Sequence, residues 1–579
     1  MKNRLMKSMI AAAILLLASC PAFAQESPEI WKGMLDAGLA KLRLQLEITP
    51  DADGKLSGKL LSIDQGNAEM VLDEIVRDGD SMKFSLNKMA IKFEGELDAD
   101  KGVIAGTFVQ SGRSFPLEFI KGEPAKPTTH VQTWTGIMTA GAKKFDFQFR
   151  VFQDEDENLT AKLDSYTERV FGLHCDVTHN KDDGTVTVDI PITKAVFEGQ
   201  FSDDMKSIDG KWKQAGGEFD LKLTQVELDD TREPKAPERP QTPKGPFPYK
   251  SKIVSFKNED AGIKLAGTLT VPKETTKPPV VILITGSGPQ DRDETILDHK
   301  PFAVIADHLS RKGIAVLRYD ERGVGASSGE FSGATSADLA TDVEAAIARL
   351  KRRKDIDPGK IILAGHSEGG LLAPMIAARN EDVAGVILLA PPGVNGAKIV
   401  VNQSRLIAEA SGEADAKELE GQEKFLKIAF GFLKSDSEGS EGFYERFKAK
   451  ATEMLGEEEA KELLVPETEI AMQQFNTPWF KFFATYEPVP ALEKTACPVL
   501  CLIGEKDLQV DPKLNLPPIR EALAKGGNED VMINQLPGLN HLFQECETGS
   551  PSEYGRIEQT FSPKVLELMD QWINERFGK

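Results

Sequence analysis

The chain has 579 residues, 40% hydrophobic and 28% charged, with 91 acidic against 70 basic side chains and a formal net charge of −21. That length calls for about three domains, and the balance excludes a disordered, collagen-like or polytopic membrane chain. An acidic surface repels phosphate backbones, so no nucleic-acid partner is expected. Five cysteines and seven histidines argue against a disulfide framework or a Cys-rich metal cluster.

Lys2, Arg4 and Lys7 make a basic start, and residues 9–18 form an apolar run of ten. Ten residues are too few to cross a bilayer core of about 30 Å as a helix. Ala22-Phe23-Ala24 then supplies the small-x-small pattern of a cleavage site, so residues 1–24 are expected to be a signal peptide. Leu17-Ala18-Ser19-Cys20 also resembles a bacterial lipobox, and lipidation of Cys20 would be the one route to the membrane. Either route places the mature protein in the periplasm or outside the cell. Of the other cysteines, Cys497 and Cys501 fall on one predicted strand. Four residues at about 3.3 Å each separates them by roughly 13 Å, too far for a disulfide. Buried free thiols are the expectation for the cysteines of the body, Cys175, Cys497, Cys501 and Cys546, and Cys546 could meet Cys497 or Cys501 only if the fold places it close by.

Trp31-Lys32-Gly33-Met34 returns 103 residues later as Trp134-Thr135-Gly136-Ile137. The correspondence continues from LRLQLEITPDADGKLSGKLLSID (42–64) to FDFQFRVFQDEDENLTAKLDSYT (145–167), and from IKFEGELDADKGVIAGTFVQSGRSFPLEF (91–119) to AVFEGQFSDDMKSIDGKWKQAGGEFDLKL (195–223). Both copies alternate apolar and polar residues between Asp, Gly and Asn turns, the period of strands with one buried face. Two antiparallel β-rich repeat units are expected, over 25–122 and 130–228. His174 and His179 flank Cys175, but no fourth ligand follows at metal spacing, so they read as turn or surface histidines. No metal and no cofactor is expected. Prolines 234, 237, 240, 243, 246 and 248 then mark residues 229–248 as a semi-rigid linker.

From Tyr249 the pattern changes. IVSFKNEDAGIKLAGTLTVPK reads as a hairpin. Continuous apolar runs follow at 279–286, 313–320, 360–367 and 385–391, separated by amphipathic helices such as 336–353. Such runs indicate a mostly parallel sheet covered on both faces. The run at 360–367 ends in Gly365-His366-Ser367-Glu368-Gly369, a G-x-S-x-G between a strand and a helix. There the glycines let strand and helix approach while a tight turn lifts the serine hydroxyl above the sheet. Asp507 follows the strand CPVLCLIG, and His541 follows VMINQLP. Strand ends of a parallel sheet share one edge, so Ser367, Asp507 and His541 form a candidate nucleophile, acid and base. Asp511 and Glu505 are weaker candidates for the acid. His366, beside the nucleophile, is expected to point elsewhere. The oxyanion donors are expected to be the backbone N–H groups of Glu368 and of Ser287, with Gly288 the near alternative. Asp320 and Arg322 read as loop-fixing residues. Asp291, Arg292, Asp293 and Glu294 read as a loop network or solvated charges, with polar-substrate binding as the other possibility.

Residues 249–579 resemble an α/β-hydrolase, specifically the bacterial exported esterases and serine-aminopeptidase-like (S33-type) hydrolases. The motifs that carry the resemblance are GSGPQDRDE (286–294), DERGVGASSG (320–329), GHSEGG (365–370) and GLNHLF (538–543). It implies an eight-stranded sheet, a nucleophile elbow and hydrolysis of short-chain carboxylic esters. The stretch 394–492 is too long for one strand–helix–strand step and is helical by period. It is expected to form a cap in which Trp479, Phe480, Phe482, Phe483 and Tyr486 line an acyl pocket or pack cap onto core. The expected activity is that of an exported serine hydrolase on a small-molecule ester. A short peptide is the alternative substrate, and an N-terminal binding module tethered to the hydrolase is the alternative organisation.

Overall fold

The computed structural model describes residues 28–578, apart from 37–40, 51–54, 66–67, 87–90, 111–112, 124–127, 141–142, 168–169, 181–182, 215–216, 228–238, 412–415, 437–441 and 465. The expected signal peptide with Cys20, and the first half of the proline-rich segment, lie outside the described residues. No helix among the described residues is long and apolar enough to cross a membrane.

Nine antiparallel strands run as a meander from Glu29–Asp36 to Arg113–Gly122, and these first and last strands also pair with each other. The sheet's edges are Ala68–Val71 and Glu74–Asp78. Between them Leu72 N–H donates to Gly58 O and Asp73 N–H to Ser85 O, both at 2.9 Å, so the turn spans the opening. Eight further strands, from Thr129–Ala140 to Gly217–Val226, close into a barrel through the pairs Thr133↔Val226 and Trp134↔Gln225. Side chains fill both interiors: Trp31, Leu46, Phe93 and Phe119 in the first, Trp134, Phe149, Phe197 and Trp212 in the second. In each, two glycines face each other across a strand pair beneath a phenylalanine ring, Gly95 with Gly106 under Phe93 and Gly199 with Gly210 under Phe197. Arg43 joins the two sheets. Its Nε donates to Asp64 (2.8 Å), and its Nη1 reaches Asp176 on the barrel at 3.0 Å. His174 Nε2 also contacts Asp176, at 3.1 Å.

The end of the proline-rich segment is bonded to the C-terminal unit. Arg239 donates to the carbonyls of Leu297, Gly555 and Ile557, and Gln241 exchanges three hydrogen bonds with Thr560 and Phe561. The second half of the expected spacer is therefore attached, because its polar side chains satisfy loop carbonyls that no strand claims.

The C-terminal unit is built on strands β1 (Tyr249–Asn258), β2 (Ile263–Pro272), β3 (Val280–Ile284), β4 (Ala315–Tyr319), β5 (Ile361–His366), β6 (Val383–Leu389), β7 (Val499–Gly504) and β8 (Val531–Leu536). They form one sheet in the order β1-β2-β4-β3-β5-β6-β7-β8. β1, β2 and β4 pair antiparallel and the rest parallel. Successive residues of the central strands feed two cores. Val281, Ile362, Ile387 and Leu500 face α1 (Pro301–Arg311) and the helix Pro563–Phe577. Ile282, Leu363, Val386 and Cys501 face α2 (Ser336–Lys351), α3 (Glu368–Ala377) and the helix Pro512–Lys525. With both faces covered, the strands need no polar side, which explains their unbroken apolar runs.

Two local expectations are corrected. Cys497 lies before β7 rather than on it, because Pro498 has no N–H and the ladder opens at Val499, whose N–H donates to Asp530 O (2.9 Å). Within 394–492, expected only to be helical, the segment 444–464 that reads as one helical run by period is split at Gly456, φ +80°, into Phe443–Leu455 and Glu457–Leu463. The cap carries its own apolar cluster, including Phe425, Phe430, Phe447 and Phe475.

A Cβ at Gly210 would lie 2.3 Å from Glu198 O and 2.8 Å from the Phe197 ring. Gly210→Ala is expected to destabilise the barrel by about 1–3 kcal/mol, seen as a lower urea midpoint for loss of tryptophan fluorescence.

Candidate active site

At the end of β5 the chain reverses into α3 with no room for side chains. A Cβ on Gly365 would sit 1.9 Å from Gly369 O, and one on Gly369 would sit 2.2 Å from Ile284 O. Ser367 takes the apex at φ +52°, ψ −116°. Such a conformation in a non-glycine residue costs about 1–3 kcal/mol and persists only where the surroundings enforce it. Its N–H is anchored to Leu389 O on β6 at 2.8 Å.

Asp507 follows β7, and His541 follows β8. His541 Nδ1 lies 2.8 Å from Asp507 Oδ2. The other carboxylate oxygen accepts the N–H groups of Gln509 (2.9 Å) and Val510 (2.8 Å). Asp507 and His541 are both buried. The carboxylate is thus fixed from behind and sets the tautomer of the ring, leaving Nε2 as the free lone pair. Among the described residues the ring's hydrogen bonds end at Asp507 and do not reach the Ser367 hydroxyl. A base–nucleophile contact commonly tightens only in the substrate complex. The two weaker candidates for the acid are occupied elsewhere. Asp511 caps the helix Pro512–Lys525 by accepting from Lys513 N–H, and Glu505 accepts from Gly538 N–H, each at 3.0 Å.

The loop after β3 lies against Ser367: a Cβ on Gly286 would be 3.3 Å from Ser367 Cβ. Gly286 N–H is spent on Glu294 Oε1 at 2.7 Å. The N–H groups of Ser287 and Glu368 meet no acceptor among the described residues, and Gly288 follows at φ +97°. The charged motifs around this loop form a network. Arg292 holds Asp320 through Nε (2.9 Å) and Nη2 (2.6 Å). Asp293 pairs with Arg318, and Asp291 accepts from Asp293 N–H and from Thr295. Arg322 pairs instead with Asp342 on α2 at 2.7 Å. Burial would raise the Asp320 pKa, but hydrogen bonds from Arg292 and Ala326 hold it below the ordinary carboxylate value. Glu321 accepts from Thr285 and Gln290, and burial pushes its pKa well above the usual range.

Two features were not legible in the sequence. The Glu368 side chain is buried, and its Oε1 accepts from Ser336 on α2 (2.5 Å) and from Trp479 Nε1 in the cap (2.8 Å). Burial raises its pKa. Of the cap aromatics, Trp479 stacks on Phe483 at 5.3 Å, Phe482 stacks on Tyr486 at 5.2 Å, and Phe480 stacks on Phe475 within the cap at 4.4 Å. Trp479 therefore touches the residue next to Ser367, and the others pack. The second feature is His366, which turns toward Glu294 (Nδ1, 3.0 Å) and the carbonyl of His541 (Nε2, 3.0 Å). A sequence run of charges, DRDE, was its one trace, with nothing to mark which partner it would meet.

No group of three His, Cys, Asp or Glu among the described residues is arranged to hold a metal. The four cysteines among the described residues are free. Burial pushes Cys497 and Cys546 up to about 11 and Cys501 to about 12, so these thiols stay protonated at neutral pH.

Against known proteins, residues 299–414 match the family model described as serine aminopeptidase, S33. The chain is 30% identical over 324 residues to "Esterase EstD" of Thermotoga maritima, an alignment covering 55% of this chain and 68% of that one. Similar solved structures include Est1E of Butyrivibrio proteoclasticus with ferulic acid bound (19% identity, TM-score 0.34, 56% of this chain and 100% of that one). Another is proline iminopeptidase of Mycobacterium smegmatis (16% identity, TM-score 0.35, 56% and 98%).

Trp479→Phe keeps the stack on Phe483 and removes one of the two donors to Glu368 Oε1. It is expected to cost about 1–3 kcal/mol of stability, measured as a lowered unfolding midpoint.

Proposed function

The chain belongs to the α/β-hydrolase superfamily, in its esterase and S33-type serine-aminopeptidase branch, and on that premise we propose that it is an exported serine hydrolase cleaving carboxylic esters of short acyl groups. One observation carries the reading. His541 Nδ1 is committed to Asp507 at 2.8 Å, which leaves Nε2 to take the Ser367 proton.

In this mechanism Ser367 Oγ bonds to the acyl carbon as its proton passes to His541 Nε2, and Asp507 stabilises the imidazolium. The carbonyl oxygen becomes an anion held by the N–H groups of Ser287 and Glu368. Collapse expels the alcohol, which takes the proton from Nε2. Water then repeats the sequence on the acyl-enzyme, releasing the acid and freeing Ser367. Cleavage of short peptides or aminoacyl amides is the second reading, favoured by the family whose model the chain matches, since the same groups serve an amide.

Export rests on the basic start, short apolar run and Ala22-Phe23-Ala24 of residues 1–24, with Cys20 lipidation as the membrane-anchored variant. The two N-terminal β units are read as copies of one duplicated unit. Support comes from Trp31 and Trp134, which occupy matching registers opposite Leu46 and Phe149, and from the two glycine pairs beneath Phe93 and Phe197.

A panel of p-nitrophenyl esters of graded acyl length, run beside aminoacyl amides, tests the substrate class. Short acyl esters are expected to turn over fastest, and preference for the amides would favour the second reading. Ser367→Ala is expected to abolish turnover and fluorophosphonate labelling, and Asp507→Asn to lower kcat by about 10⁴. Retained turnover in Ser367→Ala would overturn the assignment.

A further inference from the structure

Three loops converge beneath the nucleophile: the one after β3, the turn at the end of β5, and the one after β8. A single buried ring connects them. His366 Nε2 lies 3.0 Å from the carbonyl of His541, which has no proton to give, so Nε2 donates. Its Nδ1 lies 3.0 Å from Glu294 Oε1, an atom that already accepts Gly286 N–H at 2.7 Å. Both ring nitrogens thus face acceptors. A neutral imidazole has one N–H and would turn a lone pair on one of them, whereas the doubly protonated ring donates to both. We propose that Glu294 and His366 are positioning residues for the reaction, an imidazolium–carboxylate pair that locks the backbone of His541 to the loop carrying Ser287.

The pair is well placed for that task. Both side chains are over nine-tenths buried, so the contact is little screened by solvent. Glu294 is held at φ +51° in a loop tied down by the Arg292–Asp320 and Asp293–Arg318 pairs. The rings of His366 and His541 are 4.9 Å apart, so a displaced His366 would disturb the base directly. The charged and titratable groups facing His366 are Glu294 from the loop after β3, and His541 and Asp507 from the base side. Burial works against its charge. The Glu294 charge and hydrogen bond, the His541 carbonyl and the Asp507 charge outweigh that burial, so its pKa is raised. A raised histidine stabilises the folded site below about pH 6.5, the unfolded value, and this is lost as pH rises through the folded value. Activity is therefore expected to fall on the alkaline side as His366 loses its proton.

The catalytic part of this inference rests on the serine-hydrolase reading, and the protonation part does not. Full-length protein labelled with ¹⁵N-histidine reports the ring directly, with His366→Asn assigning the signal. Both His366 nitrogens are expected to stay protonated above the ordinary imidazole value of about 6.5, and Glu294→Gln to lower the ring's titration. The alkaline limb of kcat/KM for p-nitrophenyl acetate is expected to move down by the same amount in Glu294→Gln, and Glu294→Asp to restore part of it. A neutral His366 ring in the unsubstituted protein would overturn the pair whether or not esters are cleaved. A charged ring with an alkaline limb unmoved by Glu294→Gln would overturn the positioning role. Absence of ester turnover in the unsubstituted protein would count against the esterase reading and the positioning role together, while the ring signals decide the charge pair independently.

Discussion

At the end of β5 two backbones meet with no space for a side chain between them, and the rest of the site depends on that approach. Gly365 and Gly369 allow it: any Cβ there would fall within about 2 Å of a backbone atom. The reversal holds Ser367 at φ +52° and leaves the first N–H of α3, that of Glu368, without an acceptor among the described residues. A helix start always leaves such donors unsatisfied, and here one lies beside a strained hydroxyl. The strain is enforced locally by the packing of α3 against the strand ends on either side.

The parallel sheet does the remaining assembly. β3, β5, β7 and β8 all end on one edge, so the residues that follow them meet although they are far apart in the chain. The hydrogen bonds extend this logic behind Ser367. Gly286, Glu294, His366 and His541 form one continuous series across three loops. Glu368 ties the elbow to α2 through Ser336 and to the cap through Trp479. The cap, the loop after β3 and the loop carrying His541 are therefore mechanically coupled to the two residues that flank Ser367.

What could be read from the sequence follows from what is local. The unbroken apolar runs of β3, β5 and β7 reflect burial on both faces, and a G-x-S-x-G between a strand and a helix states its own geometry. The alternation from residue 29 to 226 likewise announces strands with one wet face. It could not say that one sheet closes through Trp134↔Gln225 while the other is spanned by a turn at Leu72. Partners distant in sequence were equally hidden. Arg322 follows Asp320 by two residues yet pairs with Asp342, and Asp320 is held by Arg292. His366 was expected to point elsewhere than Ser367, and nothing in the sequence marked Glu294 and the His541 carbonyl as its partners. Such pairings depend on how loops stack at a sheet edge, which no residue spacing encodes.

The central claim is that Ser367 is the nucleophile of an acyl-enzyme. Rapid acid quench of the enzyme with p-nitrophenyl acetate, followed by mass spectrometry of the tryptic peptides, tests it directly. The account predicts a transient acetyl adduct on Ser367, absent from the His541→Ala variant. Ester turnover with no adduct on Ser367, or an adduct on another residue, would contradict it.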